Sequence, residues 1–221
     1  MASCRRGSPL TLCVSVDGLP VATLETSPMN PTPRLIVGIS GASGVIYGIR
    51  LLETLRALPF ESHLVMSRAA ELTLAHETDL KPADVRRLAD ACYGANDIGA
   101  AIASGSFPTL GMVVAPCSIR TMSEIATGIT SNLLTRAADV TLKERRRLVL
   151  MVRETPLHLG HLRTMATVTE LGAVIAPPMP AMYIRPTSIT ELVDHTVGRV
   201  LDLFGIDSGR VKRWGEDRGE G

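Results

Sequence analysis

The chain has 221 residues and a formal net charge of +1, and 45% of its residues are hydrophobic although only 3% are aromatic. The near-neutral charge disfavours a nucleic-acid partner bound through bulk electrostatics, and no apolar run reaches the roughly 18 residues of a membrane span. The four cysteines lack the paired spacing of a disulfide framework or a zinc site, which predicts a reduced, cytoplasmic protein.

The first 33 residues differ from the rest of the chain. Arg5 and Arg6 precede a short apolar run that ends at Val14, as at the start of a signal peptide, but Asp17 interrupts the pattern and no clear cleavage site follows. We predict a disordered extension over residues 1–33, with Met29 as an alternative start. One folded domain over residues 34–206 and a polar tail over residues 207–221 complete the predicted organisation.

The domain begins with an apolar run that breaks into the small residues Ser40-Gly-Ala-Ser-Gly44 and resumes as an amphipathic segment. Glycines permit positive φ and close backbone approach, and the free N–H groups at a helix start attract anions. The pattern predicts a buried strand, a turn and a helix N-terminus that binds a phosphorylated ligand. Small residues at such a turn can also serve packing alone.

Strand-like apolar runs alternate with helical patterns along the domain. The predicted strands are 35–39, 63–66, 112–115, 148–152 and 173–176. The predicted helices are 45–57, 68–77, 82–91, 118–127, 133–145, 161–171 and 189–204. This alternation predicts an α/β fold with a single doubly wound, mostly parallel sheet and helices on both faces, as in flavodoxin-like and Rossmann-like proteins. Ligands of such sheets bind beyond the carboxyl ends of the strands.

The loops at that edge favour a mononucleotide over a dinucleotide. Gly38, Gly41 and Gly44 are spaced G-x-x-G-x-x-G, and Ser67 follows the second predicted strand where a nicotinamide-binding fold needs a carboxylate. FMN fits this pattern better. Ser67 and Ser118 add hydroxyl donors at the same edge, and each also suits a helix N-cap, a role that is compatible with ligand binding.

Two charged residues, Arg153 and Glu154, directly follow the fourth predicted strand. Arginine makes bidentate phosphate contacts and glutamate can move a proton, so we interpret this pair as functional. Arg136 and Lys143 lie seven residues apart on one helix face, which also fits an ordinary solvated face.

Other reactive side chains point to ordinary structural roles. His158 and His161 lack a third ligand, so no metal site is predicted. Cys117 is either a nucleophile or, more in keeping with its neighbours, a small buried residue.

Several spaced motifs together resemble the UbiX/Pad flavin prenyltransferases over about Arg34 to Trp214. They are Gly41-Ala-Ser-Gly44, Ser67, Pro116-Cys-Ser-x-x-Thr121, Arg136-Ala-Ala-Asp-Val-x-Leu-Lys-Glu144, Val152-Arg-Glu154-x-Pro156, the proline-rich loop ending at Tyr183, and Arg213-Trp-Gly. The Ile119-Arg120 pair resembles the branch associated with aromatic acid decarboxylases.

The resemblance implies a reaction in which a dimethylallyl group moves from dimethylallyl phosphate to reduced FMN, without a metal. Prenylated FMN then passes to a UbiD-type decarboxylase, and the enzyme is a homo-oligomer, a dodecamer. The residues implied to hold FMN are Gly41, Ala42, Ser43, Ser67, Ser118, Ile119, Arg120, Thr121 and Arg153.

The same resemblance assigns the remaining site residues. Tyr183 and Arg199 are implied to bind the prenyl phosphate. Arg136 and Lys143 contribute to the phosphate pocket across a subunit boundary, Glu154 manages protons, and Ser43 completes the catalytic group.

Two departures and two alternatives remain open. Arg163 and Met182 replace the acidic and aromatic residues usual in the family, which leaves the shape of the prenyl pocket open. A flavin-dependent cysteine-type decarboxylase is disfavoured, because such enzymes carry Pro-Ala-Ser-Ala-Asn where this chain has Pro116-Cys-Ser. A non-catalytic FMN-binding accessory subunit is the other alternative. Sequence leaves open the decarboxylase served, its aromatic acid, and whether the donor is a mono- or diphosphate.

Overall fold

The computed structural model describes residues 32–215. The predicted N-terminal extension lies outside the described residues except for its last two positions. The predicted boundaries at residues 33 and 206 stay predictions, although Arg213, beyond the second of them, is ion-paired with Asp202.

Six strands of the described chain form one sheet in which every neighbouring pair is parallel. They are β1 (Arg34–Ile39), β2 (Glu61–Met66), β3 (Ala91–Tyr93), β4 (Gly111–Cys117), β5 (Arg147–Val152) and β6 (Val174–Ile175). Their order is β3-β2-β1-β4-β5-β6, the doubly wound order with a switch point between β1 and β4. The predicted fold class is confirmed.

Seven α-helices of the described residues cover both faces of this sheet. They are α1 (Val45–Arg56), α2 (Arg68–Glu77), α3 (Pro82–Arg86), α4 (Ile119–Thr127), α5 (Leu133–Lys143), α6 (Leu159–Glu170) and α7 (Ile189–Asp202). Short 3₁₀ turns occupy Ala101–Ala103 and Met182–Ile184. None of the helices within residues 32–215 has the length and apolarity needed to cross a bilayer.

The core has two layers because strand side chains alternate between the faces of the sheet. Leu35, Val37 and Ile39 of β1 pack with α1 and α7 on one face. Ile36 of the same strand packs on the other face with residues of α4 and α5. The four central strands β1, β2, β4 and β5 are buried on both faces along most of their length, which explains why they read as largely apolar runs.

The region after α2 differs from the prediction. The predicted helix 82–91 ends at Arg86, and Ala91–Tyr93 instead forms the edge strand β3. Only three residues pair there with β2, and one of them, Cys92, is exposed. Such a short, half-exposed strand has no apolar run to reveal it.

Candidate active site

The switch point between β1 and β4 is held together by a fully buried hydroxyl. Ser40 is 0% exposed; its Oγ donates to the Pro116 carbonyl at 2.9 Å and accepts from the Ser118 N–H at 2.7 Å. This side chain therefore fixes the loops after β1 and β4 side by side. Ligands of doubly wound sheets bind in the crevice between such loops.

A cleft of about 290 Å³ opens at this edge. Its lining comes from the loops after β1, β2 and β4 and from the start of α5, and includes Gly41, Ser67, Arg68, Ser118, Arg120, Thr121, Glu124 and Asn132. Five of the residues implied to hold FMN (Gly41, Ser67, Ser118, Arg120 and Thr121) thus meet in one cleft, although they span 80 positions of the sequence.

Two helix N-termini face this cleft. Ser67 caps α2 by accepting from the Ala70 N–H at 3.1 Å, and Ser118 caps α4 by accepting from the Thr121 N–H at 3.3 Å. The predicted cap roles are confirmed. Aligned N–H dipoles, hydroxyl donors and the nearby guanidinium groups of Arg68 and Arg120 suit a phosphate dianion, so this donor set fits the phosphate of FMN.

Glu124 holds Arg120 and the start of α5 together beside the cleft. Its carboxylate accepts from Arg120 Nε at 2.9 Å and from Ser131 Oγ at 2.6 Å. Burial would raise the pKa of Glu124, but the hydrogen bonds from Ser131 and Arg120 outweigh it and the pKa is lowered. Glu124 is therefore ionised at neutral pH and orients a guanidinium that is otherwise exposed to solvent.

The turn after β1 contains a carboxylate that the sequence did not predict there. Both oxygens of Glu77 accept from the Gly44 N–H, at 3.0 and 2.9 Å, and one also accepts from the Val45 N–H at 3.0 Å. The sequence predicted a ligand phosphate at this helix N-terminus. Because Glu77 already satisfies these donors, the cleft between α2 and α4 offers the free anion site instead.

Electrostatics at the turn link Glu77 to two predicted site residues. Burial would raise the pKa of Glu77, but hydrogen bonds from the Ser43 side chain and the Gly44 and Val45 amides, together with the charge of Arg153, lower it. Ser43, Glu77 and Arg153 are therefore neighbours. Glu77 lies 34 residues from Ser43 and 33 residues from Gly44 along the chain. Such a separation leaves no local pattern in the sequence.

Gly41 and Gly44 are needed for different reasons. A Cβ at Gly41 would lie 2.4 Å from the Ala69 Cβ, so this glycine lets the turn approach the start of α2. Gly44 has φ of 98°, the left-handed region that favours glycine. Ala42 between them is 8% exposed. Packing thus explains part of the glycine pattern, which is one of the two interpretations that the sequence left open for this turn.

Arg153 and Glu154 lie at the carboxyl end of β5, as predicted. The Arg153 N–H donates to the Cys117 carbonyl at 3.1 Å, which joins the ends of β4 and β5. Both side chains are exposed. Glu154 Oε1 accepts from the Thr155 N–H at 3.0 Å.

A second cleft, of about 440 Å³, surrounds Tyr183. Its side chains include Arg185, Lys212, Arg213 and Trp214. The Tyr183 hydroxyl lies 3.1 Å from His195 Nε2, and its ring contacts the Trp214 ring edge-to-face at 5.4 Å between centroids. Cationic and aromatic groups together suit an allylic phosphate.

Arg199 of α7 joins this cleft through a shared carboxylate. Asp202 accepts from Arg199 Nη1 at 2.6 Å and from both terminal nitrogens of Arg213, at 3.0 and 3.1 Å. Arg213, and to a smaller extent Arg199, lower the pKa of Asp202. Arg199 is thus placed close to Tyr183's cleft although it does not line it.

Arg136 and Lys143 lie apart from both clefts within the described chain. Arg136 pairs with Asp139 at 2.8 Å and Lys143 pairs with Glu144. Lys143 ends α5 just before β5 begins. It therefore lies near the amino ends of the strands, whereas the cleft lined by Ser67 and Ser118 lies at their carboxyl ends. A role for these residues in phosphate binding requires a neighbouring subunit, as the resemblance implies.

The remaining candidate groups have structural roles. His158 Nδ1 caps α6 by accepting from the His161 N–H at 3.3 Å. The centroids of the two imidazole rings lie 3.5 Å apart. Within residues 32–215, no group of three potential metal ligands occurs. Cys117 is fully buried and burial raises its pKa, so its thiol stays protonated and does not act as a nucleophile.

Known proteins resemble this chain in both sequence and fold. The Flavoprotein family model matches residues 23–201. Flavin prenyltransferase UbiX of Escherichia coli K12 is 62% identical over 174 residues, which are 78% of this chain and 92% of the relative. UbiX of Thauera aromatica is 55% identical over 181 residues, 82% of this chain and 93% of the relative. The chain belongs to the UbiX flavin prenyltransferases.

Solved structures agree with this membership. AnUbiX (PadA1), crystallised with FMN and dimethylallyl pyrophosphate, matches with a TM-score of 0.81 and 52% identity, covering 82% of this chain and 97% of that one. A dodecameric, FMN-dependent UbiX-like decarboxylase from E. coli O157:H7 matches with a TM-score of 0.80 and 46% identity, covering 82% and 98%.

The cysteine decarboxylase alternative finds only a likeness of fold. The FMN-dependent cysteine decarboxylase TvaF matches with a TM-score of 0.55 and 18% identity, over 66% of this chain and 90% of that one. Such a low identity shows a shared architecture and carries no activity with it.

Proposed function

We propose that this protein transfers a dimethylallyl group from dimethylallyl phosphate to reduced FMN and releases prenylated FMN for a UbiD-type decarboxylase. The observation that carries the proposal is the carboxyl-edge cleft, where the N-termini of α2 and α4 meet hydroxyl and guanidinium donors. Membership of the UbiX family, and the ligands of the AnUbiX crystals, support it.

In this proposal the phosphate of FMN binds between the N-caps Ser67 and Ser118. Thr121 adds a hydroxyl, and Arg68 and Arg120 supply positive charge. The turn Gly41-Ala-Ser43, Ile119 at the start of α4 and Arg153 after β5 would contact the flavin. Bound reduced FMN supplies the nucleophilic N5 and C6 atoms that accept the prenyl group.

The donor phosphate binds at Tyr183 and Arg199, and its departure needs neutralising charge. Arginine, lysine and tyrosine donors stabilise the oxygens that become more negative as the allylic C–O bond breaks. Arg136 and Lys143 of a neighbouring subunit complete this set. Glu154 would transfer the proton that accompanies the leaving phosphate, and Glu77, which interacts with the Ser43 side chain, would orient Ser43 for flavin binding.

Assembly into a homo-oligomer follows from the same residues, and we propose a dodecamer like that of the E. coli O157:H7 relative. Exposed apolar side chains on α6, Leu159 (59% exposed) and Leu162 (49%), and just after α4, Ile129 (56%), support burial against another subunit. We further propose a cytoplasmic location, because Cys92 and Cys117 are free thiols.

The test is anaerobic incubation of the purified protein with reduced FMN and dimethylallyl phosphate, followed by mass measurement of the flavin. We expect the mass to rise by one five-carbon unit, and the product to activate a UbiD-type apo-decarboxylase. Glu154→Gln should keep FMN bound yet lose most turnover. An unchanged flavin mass would favour the accessory-subunit alternative.

A further inference from the structure

We infer that Glu124 makes the cleft between α2 and α4 selective for a terminal flavin phosphate, by holding Arg120 beside that phosphate and by repelling a second one. The cleft therefore accepts FMN and rejects flavin adenine dinucleotide (FAD). This inference rests on the proposed function and assigns a specificity-determining residue to its cofactor site. Neither Glu124 nor its partner Ser131 belongs to the motifs that identify the family in this sequence.

An acidic side chain is unexpected in a cleft that suits an anion. Among the described residues that line the cleft, Glu124 is the only acidic one, and its side chain is 13% exposed. Against the effect of burial, hydrogen bonds from Ser131 and Arg120 lower its pKa, so the group is charged at neutral pH. A negative charge weakens the binding of a nearby anion, so this carboxylate needs a compensating role.

One such role is to position Arg120. Glu124 Oε1 accepts from Arg120 Nε at 2.9 Å, a bond that leaves both terminal nitrogens of the guanidinium as donors for a phosphate. The Arg120 side chain is 83% exposed, and a long exposed side chain loses conformational entropy when a ligand orders it. The bond to Glu124 orders the guanidinium before FMN binds and so reduces this cost.

The other role is to build the wall of the cleft on the side of α5. Glu124 Oε2 accepts from Ser131 Oγ at 2.6 Å, and Ser131 Oγ accepts in turn from Asn132 Nδ2 at 3.1 Å. Asn132 Oδ1 caps α5 by accepting from the Leu134 N–H at 2.9 Å. These bonds join α4 to the start of α5, and Glu124, Ser131 and Asn132 all line the cleft. The cleft therefore ends at a hydrogen-bonded wall that carries a negative charge.

Such a wall distinguishes the two flavin nucleotides. FMN ends in one phosphate, whereas FAD continues from that phosphate into a second phosphate, a ribose and an adenine. The charge of Glu124 repels the second phosphate, and no cationic side chain other than Arg68 and Arg120 lines the described part of the cleft. A second phosphate is therefore repelled without gaining a partner, which is how a site selects against a close relative of its ligand.

Isothermal titration of the full-length, flavin-free protein with FMN, FAD and riboflavin tests this selectivity. We expect the wild type to bind FMN at least about a hundredfold more tightly than FAD. Glu124→Gln keeps an oxygen that can accept a hydrogen bond but removes the charge. In this variant the ratio of the Kd of FAD to the Kd of FMN should fall at least about tenfold, while the Kd of riboflavin, which has no phosphate, should stay within about twofold.

A matched control separates this role from general damage. Glu53→Gln also removes a carboxylate that pairs with an arginine of its own helix, Arg50 of α1, but Glu53 does not line the cleft. This variant should leave the Kd values of all three flavins unchanged. If Glu124 merely held α4 and α5 together, Glu124→Gln would weaken the binding of FMN, FAD and riboflavin by the same factor, and that result would overturn the inference.

Two outcomes distinguish this inference from the function beneath it. If Glu124→Gln has the same ratio of FAD to FMN Kd values as the wild type, and the wild type prenylates FMN, the inference is overturned and the proposed function stands. If the ratio falls as expected but the wild type leaves the mass of reduced FMN unchanged in the transfer assay, the role of Glu124 is supported and the proposed transferase function fails.

Discussion

Glu77→Ala gives the sharpest test of how the turn after β1 is built. The change leaves the amides of Gly44 and Val45, which bond to Glu77 at 2.9 to 3.0 Å, without a protein acceptor. Losing a helix cap costs about 1 kcal/mol, and losing a carboxylate at a helix N-terminus costs about 0.5 kcal/mol more. The side chain is exposed, so we add nothing for burial.

A cost of about 1.5 kcal/mol lowers the thermal midpoint of a chain this size by about 3–6 °C. The assay is a thermal melt of the ligand-free protein at fixed protomer concentration, because oligomerisation makes the midpoint depend on concentration. Glu170→Ala removes an exposed carboxylate from the C-terminal end of α6 and should leave the midpoint unchanged or slightly raised.

The same comparison has a defined pH dependence. The pKa of Glu77 is lower in the folded protein than its ordinary value of 4.5, so the carboxylate stabilises the fold fully above that value. The advantage of the wild type over Glu77→Ala should shrink as the pH falls below 4.5 toward the folded pKa. Equal midpoints at pH 7, or a difference that grows on acidification, would refute this account of the turn.

Three further predictions follow from single contacts. Ser118→Ala and Ser188→Ala remove the serine N-caps of α4 and α7 respectively, and each should lower the free energy of unfolding by about 1 kcal/mol. Only Ser118→Ala should raise the Kd of FMN, by about tenfold. If isothermal titration gives the two variants equal affinities for FMN, the phosphate site is contradicted. Gly48→Ala should lower the free energy of unfolding in urea by about 1–3 kcal/mol, because the new Cβ would lie 2.4 Å from the Ala115 carbonyl oxygen. This loss is expected although alanine normally favours a helix. The control is Gly94→Ala, which has open space around it and should not change stability. His63 is buried, and burial lowers its pKa despite the opposing charge of Glu61. Because the unfolded chain then binds the proton more readily, the stability of the fold should decrease as the pH drops through the ordinary pKa of 6.5. A His63→Gln variant whose thermal midpoint falls as steeply as that of the wild type from pH 7 to pH 5 would contradict this.

The sequence predicted the elements whose signal is local. Five strands were predicted because each contains an apolar run, and four of these strands are buried along most of their length while β6 is only partly buried. Ser67 and Ser118 were recognised because a serine before a helix is a strong cap signal. The start of α6 was predicted at residue 161 but lies at Leu159, because His158 caps that helix in a role that serine or aspartate usually fills.

Local sequence patterns could not predict contacts between residues that are far apart in the chain. Glu77 ends α2 like any exposed acidic residue, and only the fold brings its carboxylate to Gly44. The pairing of Asp202 with Arg213 depends in the same way on how residues beyond 206 return to α7. Within the chain Arg136 and Lys143 pair with Asp139 and Glu144; the contacts proposed for them in the site would be with another subunit, and a pattern within one chain carries no signal for such contacts.

The most direct test of the central claim is a crystal structure of the protein with FMN bound. We predict electron density for the phosphate between the N-termini of α2 and α4, within hydrogen-bond distance of Ser67 and Ser118, with Glu77 still bonded to Gly44. A phosphate bound at the Gly44 and Val45 amides in place of Glu77, or away from the carboxyl edge of the sheet, would contradict it.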